Sequence, residues 1–130
     1  MIVVDTSVWV EFFKSRPSYF LPFRSLLDHQ QVVAVECVFG ELLQGAKSER
    51  ERSIIVGYWT NLPKRPEEGL WVEAGTLSAN HGWFSKGVGL IDAFLLAFIR
   101  AYDFQLWTLD KKLAAVANPA ELFHLSPDNE

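Results

Sequence analysis

Short apolar runs alternate along this chain with longer stretches whose apolar residues recur every three or four positions. Ile2-Val3-Val4 is β-branched and unbroken, the pattern of a strand buried on both faces, and it stops at Asp5. Thr6 or Ser7 can cap a helix carrying Val8, Trp9, Phe12 and Phe13, and Pro17 is expected to end it. A second helical segment, with Pro22 near its start, carries Phe23, Leu26 and Leu27. Val32-Val33-Ala34-Val35 reads as another strand. Phe39, Leu42, Leu43 and Ala46 form an apolar helical stripe with Gly45 near its end. Helical stretches follow around 48–61 and 67–81. The turn Lys86-Gly87-Val88-Gly89 then precedes an almost wholly apolar helix, Leu90 to Tyr102, which must be buried nearly all round. Phe104 to Trp107 is a third strand, Lys111 to Val116 a short helix, and Leu122-Phe123 a further candidate strand. The tail Ser126 to Glu130 is polar and expected to be loose.

Strands alternating with helices imply an α/β fold, a parallel sheet covered on both faces. Sites in such sheets form at the carboxyl ends of the strands. Asp5 falls where the first strand ends, and Asp110 just past the third. Glu41 lies on the helix after the second strand. Asp92 lies in the first turn of the greasy helix, with no Lys or Arg adjacent to it. A carboxylate at a helix start is favoured by the dipole, yet one beside so much apolar surface is costly unless something pairs with it. A bound cation would meet that need. Four converging carboxylates should raise one another's pKa values, and an all-oxygen set suits Mg²⁺ or Mn²⁺ rather than zinc. Such ions can polarise a scissile phosphate and generate hydroxide near neutral pH. Thr6, Ser7 and Thr108 are placed to orient the acids through their hydroxyls.

Composition narrows the field. The 130 residues suit one domain, expected over 1–125, and 49% hydrophobic residues against 22% charged make disorder implausible. Twelve Lys and Arg against sixteen Asp and Glu leave a net charge of −4, which argues against a general charge-driven nucleic-acid binder but does not exclude a nucleic-acid enzyme with clustered acids. Cys37 is alone, so no internal disulfide or Cys-rich zinc site can form. The opening residues lack a basic n-region and cleavage site, and no apolar run approaches a membrane span, so a cytoplasmic protein is expected. His29, His81 and His124 share no ligand spacing. Ser7 has no adjacent base to activate it as a nucleophile, and the Lys86 to Gly89 turn lacks a nucleotide-loop ending. Eighteen aromatics exceed what a small core needs, so some of Trp9, Phe12, Phe13, Tyr19, Phe20 and Phe23 are candidates for a partner surface.

The segments Ile-Val-Val-Asp-Thr-Ser-Val-Trp at 2–9, Gly-Glu-Leu-Leu-Gln-Gly at 40–45, Gly-Leu-Ile-Asp-Ala-Phe at 89–94 and Leu-Trp-Thr-Leu-Asp-Lys-Lys-Leu at 106–113 resemble, in order and spacing, the four signature blocks of PIN-domain ribonucleases. Length and spacing look most like the VapC-type toxins of toxin–antitoxin pairs. The resemblance implies a three-layer sandwich around a parallel sheet of four to five strands. It implies a Mg²⁺- or Mn²⁺-dependent endoribonuclease acting on structured RNA such as transfer or ribosomal RNA. The family acids carry over to Asp5, Glu41, Asp92 and Asp110, and the supporting hydroxyls to Thr6 or Ser7 and to Thr108. A homodimer is implied, held inactive by a VapB-type antitoxin. The chain departs from the pattern at Lys112 and Leu113, where members often carry an acid and an aromatic. Lys14, Arg16, Lys86, Lys111 and Lys112 are candidates for RNA backbone contacts, each close in sequence to a block that carries an acid. Two other classes compete: an acid-pocket phosphoryl-transfer or receiver-like signalling domain, which also places an Asp after strand one, and a non-catalytic interaction module.

Overall fold

In the computed structural model, which describes residues 1–125, Ile2–Val4 forms β1 at the centre of a parallel sheet. It pairs with Val32–Val33 (β2) on one side and Gln105–Trp107 (β3) on the other, giving the order β2-β1-β3. The register sets Ile2 opposite Val32 and Gln105, Val3 opposite Val33 and Leu106, and Val4 opposite Trp107. Successive strand residues point to opposite faces. Ile2, Val3 and Val4 are all buried, so both faces are covered. That double burial is why the run is apolar without alternation.

Among the described residues the sheet has three strands, where four to five were expected. Leu122 makes a single parallel bridge to Leu106, and Phe123 N–H donates to the Leu106 carbonyl at 2.8 Å, with no further ladder. The second strand is also shorter than the apolar run Val32 to Val35. After Val33 the backbone leaves the ladder, and Ala34 N–H donates to the Pro63 carbonyl at 2.9 Å. Ala34 and Val35 stay buried, so their apolar character reflects packing rather than pairing.

The helices are α1 (Thr6–Phe13), α2 (Pro17–Asp28), α3 (Glu36–Gly45), α4 (Glu49–Asn61), α5 (Leu70–His81), α6 (Leu90–Tyr102) and α7 (Lys111–Val116). Pro17 does not close the first helix. That helix ends at Phe13, Ser15 takes a left-handed φ of 55°, and Pro17 opens α2, where its missing N–H costs nothing. Pro22 consequently lies inside α2 rather than near its start. Ser48 caps α4 by accepting from Glu51 N–H at 3.1 Å. The α5 helix starts after Gly69 at a φ of 82°, three residues later than the sequence pattern suggests.

Seven consecutive residues of α6, Ala93 to Ile99, are buried, as its composition requires. Trp71 of α5 stacks on Phe94 at 4.2 Å between ring centroids, joining the two helices. A second aromatic cluster surrounds Trp9, 1% exposed, with Phe23, Phe39 and Tyr58 within 4.6–5.3 Å. Of the six aromatics that the sequence offers to a partner surface, Trp9, Phe12 and Phe23 are buried, Tyr19 and Phe20 half-buried and Phe13 exposed. No helix among the described residues is long and apolar enough to cross a membrane. The tail from 126 to 130, expected to be loose, lies outside the described residues.

Candidate active site

The central strand delivers Asp5 to the middle of the sheet's carboxyl edge. Asp5 N–H donates to the Trp107 carbonyl at 2.9 Å, the last bond before the chain turns into α1. The side chain is 7% exposed and is the one buried charged residue among those described. A buried carboxylate needs donors. Thr108 supplies one, its hydroxyl donating to Asp5 Oδ2 at 2.7 Å, and Ser7 supplies another at 3.0 Å. Both hydroxyls also accept backbone bonds from the loop after β3. Asp110 N–H donates to Thr108 Oγ1 at 3.0 Å and Leu109 N–H to Ser7 Oγ at 3.1 Å. The loop that carries the fourth acid is therefore tied to the first.

Glu41 comes from the middle of α3 and is held differently. Thr6, the first residue of α1, donates its hydroxyl to Glu41 Oε1 at 2.8 Å across 35 residues of sequence. Thr6 and Ser7 thus serve separate acids, a division of labour that sequence alone left open. Asp110 caps α7, its Oδ1 accepting from Lys112 N–H at 2.8 Å and Leu113 N–H at 3.1 Å.

Asp92 lies in the first turn of α6, half-buried. Burial pushes its carboxyl up to about 6, and the negative charges of Asp5, Asp110 and Glu41 push in the same direction. The four acids from four separate segments therefore share one electrostatic neighbourhood. The ion pairs among the described residues join Glu11 to Lys14 and Arg16, Arg52 to Glu49, and Arg100 to Glu121. None of them neutralises Asp5, Glu41, Asp92 or Asp110.

Among the described residues, no group of three or more Asp, Glu, His or Cys side chains is arranged so that it could hold a metal ion. The residues nonetheless fit a hard divalent cation: the donors are all oxygen, no base competes for them, and the charge they share is unbalanced. Cys37 is no part of this chemistry. Burial, with the charges of Glu67 and Glu41, pushes its thiol up to about 12, far from the thiolate a metal or substrate would need.

The basic candidates divide into two groups. Lys14 and Arg16 both reach Glu11, at 3.6 Å and 2.6 Å. Lys86, Lys111 and Lys112 instead converge on one open cavity, together with His81 and Trp83. His81 had no signal as a site residue in the sequence, because it lies 30 residues from Lys111 and only the fold joins them.

A parallel sheet with acids gathered on its carboxyl edge and no base among them defines a class of acid-centred α/β proteins. Residues 2–119 match the model of the PIN domain, and the chain belongs to that family. It is also similar to Ribonuclease VapC32 of Mycobacterium tuberculosis, in strain CDC 1551 / Oshkosh and in strain ATCC 25618 / H37Rv. Each is 30% identical over 116 residues, covering 88% of this chain and 89% of the relative.

Proposed function

We propose that this protein is an endoribonuclease dependent on Mg²⁺ or Mn²⁺, the toxin of a VapBC-type toxin–antitoxin pair, with residues 1–125 acting as one catalytic domain. The observation that carries this reading is the placement of Asp5, Glu41, Asp92 and Asp110 on segments around the carboxyl edge of the sheet, where none makes an ion pair among the described residues and the negative charges of the other three help raise the Asp92 carboxyl. Similarity to proteins named as VapC ribonucleases supports RNA as the substrate class.

Asp5, Asp92, Glu41 and Asp110 would hold the ion or ions. When bound, the metal supplies Lewis-acid polarisation of a phosphodiester and a more acidic water. The chain's own residues do the positioning. Thr108 and Ser7 hold Asp5 Oδ2 toward the sheet edge, and Thr6 holds Glu41 Oε1. Fixing carboxylates this way lowers the reorganisation needed when substrate arrives. The acids also repel phosphate in the absence of a cation, so the same cluster excludes non-productive binding. Structured RNA such as transfer or ribosomal RNA is the proposed target.

A cleft between α1, α3 and α4, about 390 Å³ in volume, is lined by Val10, Phe13, Leu42, Ile54 and Ile55 and reaches Thr6 and Glu41. Its apolar walls and its access to an acid support an antitoxin segment as the occupant. Exposed Val72, Phe84 and Leu90 support a homodimer, and a cytoplasmic location belongs to the same proposal.

Asp5→Asn and Asp92→Asn should each abolish metal-dependent RNA cleavage and growth arrest. Full toxicity in both single variants would end the nuclease assignment. Light scattering that gives a monomer removes the dimer, and failure to co-purify with the product of an adjacent small gene removes the antitoxin.

A further inference from the structure

The groove beside Asp110 is built oppositely to the acid edge. Lys86 ends the short 3₁₀ turn before α6, and Lys111 and Lys112 open α7. The three line one open cavity of about 540 Å³ with His81, Trp83 and Val116. None of these lysines makes an ion pair with a carboxylate among the described residues. Three lysines lining one cavity with no carboxylate in ion-pair range among the described residues raise the local potential, and the open geometry leaves it accessible to an anion.

Local backbone conformation preserves this crowding. Gly87 has a φ of 82°, and a Cβ there would come within 2.9 Å of Lys112 Cδ and 3.3 Å of its Nζ. Glycine therefore lets the Lys112 side chain lie across the turn that carries Lys86. Asp110 Oδ1 accepts from Lys112 N–H at 2.8 Å, which fixes this lysine's backbone to the fourth acid. One wall of the cavity is aromatic. His81 is exposed and stacks on buried Trp83, with ring centroids 5.4 Å apart and planes 17° apart.

We propose that this groove is a subsite for the RNA strand flanking the scissile bond, with Lys86, Lys111 and Lys112 on backbone phosphates and the His81 ring as a platform for a base. The assignment rests on the nuclease reading for its choice of RNA. Phosphates suit lysine as compact point charges, and bases stack on exposed rings without regard to sequence. The location matters as much as the charge. A strand crossing the acid edge meets Asp110 and the backbone of Lys112 together, so the groove takes up the strand where the acids leave it. It also explains how a protein of net charge −4 can retain a polyanion.

The test is binding of a short fluorescein-labelled single-stranded RNA of mixed sequence, in EDTA, followed by anisotropy over a KCl series. Each phosphate contact on a single strand contributes about 0.7 to the slope of log affinity against log salt. Lys111→Gln/Lys112→Gln should therefore flatten the slope by about 1.4 and weaken binding. Lys111→Arg/Lys112→Arg should restore it, and Arg50→Gln/Arg52→Gln, the same charge change on α4, should leave it unaltered. His81→Ala should weaken binding with the slope unchanged. A Lys-to-Gln pair with the wild-type slope overturns the groove while leaving cleavage intact. Wild-type protein that binds with the expected slope but never cleaves with Mg²⁺ or Mn²⁺ overturns the nuclease reading instead. Displacement of the RNA by an acidic peptide, with equal potency and the same lysine dependence, would reassign the groove to a protein segment.

Discussion

Thr108→Val tests whether hydroxyl support of Asp5 holds the site together. The change keeps the shape of the side chain and removes one oxygen. Two bonds go with it: the donation to Asp5 Oδ2 at 2.7 Å and the acceptance from Asp110 N–H at 3.0 Å. Asp5 is 7% exposed, so water has little room to replace the lost donor, and Ser7 remains as a side-chain donor to the same oxygen. A hydrogen bond to a charged group is worth roughly 1.5–3 kcal/mol, and the orphaned Asp110 N–H adds a smaller cost because that region is only half-buried. A loss of about 2–3 kcal/mol follows, a large fraction of the ~5–15 kcal/mol that a domain of this kind has. The melting temperature should fall by about 8–12 °C, at about 4 °C per kcal/mol for this size. Five tryptophans make urea unfolding easy to follow by fluorescence, and the midpoint should drop with the slope unchanged. Metal-dependent cleavage should fall in step, because Asp5 loses its fixed orientation. Thr108→Ser keeps the hydroxyl and should recover most of both. A valine variant within about 0.5 kcal/mol of wild type, a shift ordinary for surface changes, and cleaving normally, would refute the proposed role of the bond.

Other outcomes follow from the same structure. Asp92→Asn removes a carboxyl whose value is raised to about 6, so ionisation works against folding from the unfolded value upward. In EDTA the variant should be more stable than wild type at pH 8, with the gap closing as the pH falls through 6 toward 4; urea midpoints across pH would show no such gap if the charge were balanced. Glu121 behaves in the opposite sense: burial would raise it, but the Arg100 hydrogen bonds, the Asn118 N–H and the Arg100 charge hold it below its ordinary 4.5. Its contribution is present above about 4.5 and disappears as the pH drops through the lower folded value. Glu121→Gln should therefore flatten acid unfolding in that window, measured by circular dichroism. Trp9→Ala empties the centre of an aromatic cluster and should cost about 3–5 kcal/mol, enough that soluble, fully folded protein at wild-type yield would count against the packing described. Cys37 should resist iodoacetamide at pH 8 in the native state and react once unfolded in urea; rapid native alkylation would contradict a thiol near 12.

The elements that carry the site were legible in the sequence because burial dictates their composition. The β1 strand reads from three β-branched residues in a row, and α6 from thirteen residues that admit few polar ones. All four acids fall at strand ends or helix starts, or on the helix after a strand, and those positions survive small errors in element boundaries. Strand number did not survive them. Val32 to Val35 and Leu122-Phe123 are apolar because they are packed or partly packed, and hydrophobic pattern cannot separate a buried residue on the ladder from one just off it. Pro17 and Pro22 were misplaced for a related reason: proline is compatible with a helix's first turn as well as with its end, and only the backbone at Ser15 and Arg16 decides which.

The partition of the hydroxyls illustrates what pattern withholds. Thr6 and Ser7 are adjacent, and sequence places both near Asp5. In a helix, neighbouring side chains diverge by about 100°, so the two cannot serve one carboxylate equally. Ser7 turns to Asp5 and the loop after β3, while Thr6 turns to Glu41 on α3. A two-residue motif therefore fastens two separate segments, α3 and the loop after β3, to the end of β1. The same loop passes from Thr108, which supports the first acid, through Asp110 to Lys111 and Lys112 of the groove within five residues. Acidic and basic surfaces thus adjoin at α7, and the net charge of the chain, an average over both, describes neither. If the chain cleaves RNA as proposed, this local separation sets what the site asks of the strand: phosphates favoured on one side of Asp110, and accepted on the other only with a cation.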